Sequence, residues 1–377
     1  MSQEKLDPTC YPQLNMPPRL LLGAGPSLAY PRVLQAMSLP LVGHLDPSFL
    51  ELMNKTQELL RYAFQTENKL TIPISGTGSA SMEASVANMV EPGDPVLICY
   101  NGYFSLRLAD MARRYNGDVQ KITRPWGEVF TVEEVKKALQ ARPAKVVAIV
   151  HAETSTGTCQ PLEEIAKVVH DQGGVLIVDA VTSLGGVPIK VDEWDLDVVY
   201  SGSQKCLSCP PGIGPITMGP RAIAKLEARK TPVANWYLDL SMVGKYWGSE
   251  RTYHHTAPIS MNYAIYEALR LVAEEGLEAR WQRHRANAEK LWQGLEEMGL
   301  RLHVPLEYRL PSLTTVRVPD GVDDLNVRSR LLNEFNIEIA GGLGELKGKV
   351  WRIGLMGFSS RFENVVMVLS ALKYILG

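Results

Sequence analysis

The chain lacks most of what marks a secreted, membrane or nucleic-acid-binding protein. Five cysteines in 377 residues are too few and too scattered for a disulfide scaffold, and they suit a reducing compartment. No uninterrupted apolar run approaches the ~20 residues a membrane helix needs. The opening MSQEKLDPTCYPQLNMPPRL has no apolar core of signal-peptide type. The closing KYILG carries no peroxisomal Ser-Lys-Leu address. The expected location is cytoplasmic, with no membrane partner. Formal net charge is -2, from 39 basic and 41 acidic residues, so no charge asymmetry recruits nucleic acid. Cys206 and Cys209 form a lone C-x-x-C without two further ligands nearby, and no metal is expected there. The pair His254-His255 has no carboxylate at ligand spacing, and adjacent side chains point in different directions.

What is present is ordinary globular material, 45% hydrophobic and 21% charged. The length suggests two packed units. Apolar runs at 70–74, 96–99, 146–150, 175–178, 198–200 and 213–218 read as strands. Between them, 47–64, 82–89, 103–115, 131–139, 162–172 and 221–230 read as helices. Thr131 with Glu134 three residues on forms a capping box. Strands this apolar, interleaved with helices, imply a mostly parallel sheet covered on both faces. After Pro258 the pattern changes to helices over 264–275 and 277–298, broken at Gly276. Short strands at 313–318, 337–339 and 350–353 follow, with helices over 322–335 and 361–376. The expected organisation is an arm at 1–20, a large α/β domain at 21–258, and a helical linker with a small α+β domain at 259–377. No internal repeat interrupts it.

In open α/β sheets, ligands bind beyond the carboxyl ends of the strands. Three such ends carry candidates. Ser75-Gly-Thr-Gly-Ser-Ala80 enters a helix, where free amides and hydroxyls hold a phosphate; a plain turn with Ser/Thr capping fits the same residues. No Gly-Lys-Ser/Thr follows, so this is not the nucleotide P-loop. Asp179 ends the run Val175–Val178. A buried carboxylate there needs a cationic or hydrogen-bonded partner, and either a capping role or a bound pyridinium supplies one. Lys205 stands in Ser201-Gly-Ser-Gln-Lys205, past the strand 198–200, and is followed by Pro210-Pro-Gly212. Strand-end lysines are commonly solvated, but this stretch holds few long side chains, and a desolvated lysine is a good nucleophile. Lysine for a Schiff base, aspartate for a pyridine nitrogen and a phosphate loop together point to pyridoxal 5'-phosphate (PLP). Arg352, in the apolar strand Trp351-Arg-Ile-Gly354, asks for an anion, either a substrate carboxylate or a structural ion pair.

The chain resembles the class V (fold type I) PLP-dependent aminotransferases, in the alanine–glyoxylate / serine–pyruvate group. The resemblance rests on Leu21-Leu-Gly-Ala-Gly-Pro-Ser27, Ser201-Gly-Ser-Gln-Lys205, Pro210-Pro-Gly212, Asn235-Trp-Tyr237, Tyr253-His-His-Thr256 and Gly341-Gly-Leu-Gly344 ahead of Arg352. It implies a large domain with a mostly parallel seven-stranded sheet and a small C-terminal α+β domain. It makes Lys205 the Schiff-base lysine and Asp179 the partner of the pyridine nitrogen. Thr77, Gly78, Ser79 and Gln204 match phosphate ligands, with serine at 79 where the family usually carries histidine. Thr154 matches a hydroxyl near the cofactor, and Val181 an apolar contact on one ring face. Phe104 falls where a stacking tryptophan is usual. Tyr253 and Thr256 match residues that reach the phosphate of a neighbouring subunit, so a homodimer with shared active sites is implied. Arg352 matches the grip on the substrate carboxylate, Gly25 and the Gly43-His44 pair match the N-terminal segment that lines the substrate pocket, and Thr154 is implied on the substrate side as well.

The implied reaction is transamination between L-alanine and glyoxylate, giving pyruvate and glycine. Serine–glyoxylate or serine–pyruvate exchange is the close rival. A cysteine desulfurase needs a late catalytic cysteine, and none follows Cys209. Phosphoserine as substrate asks for a further basic cluster, for which Arg309 and Arg317 are the available residues. A non-catalytic relative would lack the lysine or aspartate, and both are present. A nicotinamide-dependent dehydrogenase needs a glycine fingerprint and acidic residue that this chain does not supply.

Overall fold

The computed structural model describes residues 10–377. Its main sheet has seven strands in the spatial order Leu70–Ser75, Ile213–Met218, Val198–Tyr200, Val175–Asp179, Val146–Val150, Pro95–Tyr100, Asp118–Thr123. Ile213–Met218 runs antiparallel to both of its neighbours, and every other pairing is parallel. This is the mostly parallel seven-stranded sheet that the resemblance implied.

Alternation explains the layers. Val146, Ala148 and Val150 face one core, while Val147 and Ile149 face the other. Both Val146–Val150 and Val175–Asp179 are buried at every position, as parallel strands between two helical layers must be. From Pro95–Tyr100 the chain runs outward to Asp118–Thr123 and then returns to lay Val146–Val150 on the opposite side. The strand order therefore reverses between Pro95–Tyr100 and Val146–Val150, and a ligand crevice opens beyond their carboxyl ends.

The second unit is built on an antiparallel sheet of Leu313–Arg317, Val350–Gly354 and Ala340–Gly341. Helices Asp324–Phe335, Phe362–Leu376 and Leu277–Glu297 pack on it around Trp351, Ile353, Leu331, Leu372 and Leu291. Near the start of the chain, Leu20–Leu21 pairs in parallel with Ile337–Glu338, and Leu22 joins the same core. The arm thus bonds to the second unit before the chain enters the first. Among the described residues, no helix is long and apolar enough to cross a membrane.

Several boundaries move. The helix expected at Met82 begins at Gly78, because the glycine loop turns directly into it. The Thr131 capping box forms as read: Glu134 N donates to Thr131 Oγ1 at 3.3 Å, and Thr131 N donates to Glu134 Oε2 at 2.8 Å. The strand Asp118–Thr123 and the helix Leu240–Trp247 have no counterpart in the sequence reading.

Candidate active site

A cavity of about 230 Å³ opens in the crevice beyond the strand ends. It brings together Gly78, Ser79, Phe104, Thr154, Asp179, Val181, Gln204 and Lys205. These come from five separate segments, so only the fold unites them. Ser81 Oγ donates to the Ser201 carbonyl at 2.7 Å, which ties the helix Gly78–Met89 to the lysine loop. Gly78 lies so close to Gly202 that a Cβ on it would stand 3.3 Å from the Gly202 Cα.

Lys205 is 8% exposed. Its ammonium donates to the Ala24 carbonyl. Burial, with the nearby Arg352 charge adding to it, lowers its pKa from 10.5 to about 8. Ser27 Oγ donates to the Lys205 carbonyl at 2.7 Å, and Ser27 N to the Gln204 carbonyl at 2.8 Å. Gly25 has φ +104°, and a Cβ there would stand 2.6 Å from Lys205 Nζ. Glycine is required on both counts.

Asp179 is 2% exposed, at the end of its strand. Oδ1 accepts from Val181 N at 2.9 Å and Oδ2 from the Tyr200 hydroxyl at 2.8 Å. Burial raises its pKa from 3.8 to about 6, against these two hydrogen bonds. Both donors are neutral and the Lys205 charge offsets the burial only weakly, so a closer cation would favour the charged form.

Arg352 is 6% exposed. Nε donates to the Gly341 carbonyl at 2.8 Å and Nη1 to the Thr154 carbonyl at 3.1 Å. Its partners are neutral oxygens rather than a carboxylate, and burial lowers its pKa from 12.5 to about 10. The guanidinium therefore joins the two units while keeping its charge for an anion.

Tyr253 and Thr256 are exposed and stand outside the cavity, as does Gly43, where a Cβ would meet nothing within 4 Å. The histidines beside Tyr253 serve packing. His254 stacks on Trp236 at 4.4 Å, and His255 Nε2 bonds to Ser75 Oγ at 2.7 Å. Thr77 precedes the cavity wall as the N-cap of the helix Gly78–Met89.

Three positions at or beside the site escaped the sequence reading. Tyr200 is the hydrogen-bond partner of Asp179, and strand register was the signal for it. Glu153 is wholly buried beside Thr154. It accepts from Phe104 N at 3.1 Å, Ser105 N at 3.3 Å, Ser155 N at 3.1 Å and Ser155 Oγ at 2.6 Å. It thereby ties the turn that carries Phe104 to the hairpin that carries Thr154. Burial raises its pKa, opposed by these donors. Arg107, on the helix Tyr103–Arg114, lines the cavity beside Ser79.

These residues fit pyridoxal phosphate. Asp179 is held only by neutral hydrogen-bond donors, and a pyridinium supplies a cation in contact with it. Lys205 is a desolvated amine. The Gln204 side chain lines the cavity, where its amide N–H can donate to a phosphate, beside a helix start that presents free amides. Fold and site together define a PLP-dependent enzyme of fold type I. The family described as "Aminotransferase class-V" matches residues 19–349. The chain belongs to that family, and its cofactor is PLP.

Among solved structures, an alanine–glyoxylate aminotransferase from Nostoc sp. is 59% identical. It covers 99% of this chain and 100% of its own, with a TM-score of 0.97. The rat alanine–glyoxylate aminotransferase is 42% identical over 364 residues, covering 96% of this chain and 88% of its own. The (S)-ureidoglycine–glyoxylate transaminase of Bacillus subtilis is 42% identical over 382 residues, covering 97% and 92%.

Proposed function

We propose that this protein transfers the amino group of L-alanine to glyoxylate, giving pyruvate and glycine. The carrying observation is a buried arginine, Arg352, bonded to the Thr154 carbonyl at the wall of the small cavity that holds Lys205 and Asp179. Two of the relatives named above are alanine–glyoxylate enzymes, and all three share glyoxylate as acceptor while the donor differs.

When bound, the cofactor supplies a carbonyl to join the amino group and an electron sink that acidifies the Cα–H bond. Asp179 would hold the pyridine nitrogen, Val181 and Phe104 the ring faces, and Thr77, Gly78, Ser79 and Gln204 the phosphate. Arg352 grips the substrate carboxylate and so fixes the direction of the Cα–H bond. Lys205, with a pKa of about 8, exists in part as a free amine near neutral pH. It removes the Cα proton as general base, carries it on Nζ, and as general acid delivers it away from Cα rather than back to it. The Glu153 bonds keep the Phe104 turn in place while this occurs.

The protein acts as a homodimer in the cytoplasm. Support for the dimer comes from one face. His44 packs on Tyr253 at 5.1 Å and Trp236 on His254 at 4.4 Å. This brings the exposed Leu41, Leu45, Trp236 and Tyr253 into one apolar neighbourhood. Tyr253 and Thr256 then serve the partner's phosphate site, and Gly43 belongs to the same segment. For the cytoplasm, the free thiols of Cys99, Cys206 and Cys209 suit a reducing compartment.

A donor–acceptor panel tests the reading. Alanine, serine and (S)-ureidoglycine are paired with glyoxylate, pyruvate and 2-oxoglutarate, and kcat/KM is compared. Alanine with glyoxylate should lead. A higher value for serine or ureidoglycine reassigns the donor, and preference for 2-oxoglutarate overturns the acceptor.

A further inference from the structure

We propose that Arg107 is a cofactor-phosphate residue. In this role it supplies the positive charge that the helix Gly78–Met89 and its neutral cradle do not. The inference rests on the PLP reading above.

The cradle is short of charge. Thr77, Gly78, Ser79 and Gln204 are all neutral, and the phosphate of the cofactor carries about -1.5 to -2 at pH 7. A helix N-terminus offers roughly half a positive charge, so most of the anion is left uncompensated. Lys205 is the amine assigned to the cofactor's carbonyl rather than to its phosphate, and Arg352 is bonded to the Gly341 and Thr154 carbonyls.

Arg107 is the cation on the right side. Its Nη1 donates to Ser79 Oγ at 3.1 Å. Ser79 is the second residue of the helix whose start forms the cradle. The guanidinium carbon lies 5.1 Å from the Phe104 ring centroid and 5.6 Å from that of Tyr103. Both rings belong to the first turn of its own helix. Stacking holds the planar fork in place without a carboxylate. Among the described residues, its hydrogen-bond acceptor is the neutral Ser79 hydroxyl. Such an arginine has donors to spare for a bidentate contact to phosphate. The hydroxyl at 79 is short enough to leave that approach open.

The test compares two ligands on the apoprotein. PLP and pyridoxal, which lacks the phosphate, are titrated against wild type, Arg107→Gln and Arg107→Lys, following the lysine-bound cofactor's absorbance. Arg107→Gln should weaken PLP binding by about 10- to 100-fold, the range of a lost charged hydrogen bond. Pyridoxal affinity should stay within about twofold, and Arg107→Lys should recover part of the loss, as a retained point charge does. Equal weakening of both ligands would mean that Arg107 acts only by holding Phe104, and it overturns the proposal. Unchanged PLP affinity in Arg107→Gln overturns it too. Failure of the wild type to take up PLP is a separate outcome and removes the cofactor reading itself. Thermal unfolding of the apoproteins checks that each variant folds, and Arg107→Lys carries the comparison if Arg107→Gln does not.

Discussion

Asp179 Oδ2 accepts the Tyr200 hydroxyl at 2.8 Å, and the two residues are direct partners in the register of adjacent parallel strands. The sheet itself therefore presets the carboxylate before any cofactor arrives. Of the two bonds to Asp179, this is the one a side-chain change removes. Tyr200→Phe should raise the Asp179 pKa above its present value of about 6, because a bond to the charged form favours that form. The ionised carboxylate is the form that retains a pyridinium. The acid limb of kcat/KM should therefore move to higher pH, and cofactor should be lost more readily below neutrality. A pH–rate profile with parallel absorbance scans reads both. An acid limb that stays in place, or moves downward, would remove Tyr200 from the electrostatics of the site.

Lys205 gives a prediction in which activity and stability part company. Lys205→Met should abolish the proton transfer, a loss of at least ~10²–10⁴-fold for a general base. Borohydride should no longer fix the cofactor to the protein. In the apoprotein the same change should stabilise the fold. The folded pKa of about 8 lies below the ordinary 10.5. Below pH 8 the buried ammonium is charged in the folded chain, and its full cost is present. Between 8 and 10.5 the unfolded chain binds the extra proton, so wild-type stability rises with pH. The advantage of Lys205→Met should be of the order of 3 kcal/mol at most near pH 7, shrink as pH rises from 8 to 10.5, and level off above that. Denaturant melts of the two apoproteins across pH measure it. A constant difference, or greater stability of wild type at pH 7, would contradict the desolvated-amine account.

Much of this was readable from residues in order. Val146–Val150, Val198–Tyr200 and Ile213–Met218 fall where their apolar runs place them, since a buried strand is an unbroken apolar stretch. Asp118–Thr123 was not readable: as an edge strand with polar DVQKIT it buries no face completely. The helix Leu240–Trp247 is short, and it shows its N-cap, Asp239 accepting from Ser241 N at 2.9 Å, only in three dimensions. The site divides the same way. Lys205 and Asp179 sit at strand ends, where chemistry is looked for. Glu153 looks like a surface acid in Ala152-Glu-Thr-Ser155, and its burial depends on amides of a helix about fifty residues away. Arg107 reads as one more helix-surface arginine until Ser79 is folded against it.

The exposed neighbourhood of Leu41, Trp236 and Tyr253 carries the dimer prediction. Trp236→Glu places a charge where two apolar faces would meet, and burying an unpaired charge is costly. Light scattering should show the wild type at twice the 41.7 kDa chain mass and the variant with a raised monomer fraction. If Tyr253 and Thr256 serve the partner's phosphate site as proposed, the variant should also release PLP faster on dilution. A wild type that runs as a monomer while holding PLP would refute both the dimer and the shared phosphate site.

Arg352 distinguishes grip from structure. Arg352→Lys keeps the charge but loses the fork that reaches both the Gly341 and Thr154 carbonyls. It should raise the KM for alanine by about tenfold while leaving the bound cofactor's spectrum unchanged. Arg352→Ala removes the charge, and breaking a buried charged contact costs about 2–5 kcal/mol. Its kcat/KM should accordingly fall by roughly 30-fold or more. The loss should be smaller for an amine donor that has no carboxylate, since that substrate never used the guanidinium. Steady-state kinetics with alanine and with ethylamine supply the comparison. An equal proportional loss for the two donors would assign Arg352 to holding the Thr154 hairpin, and the substrate carboxylate would need another partner.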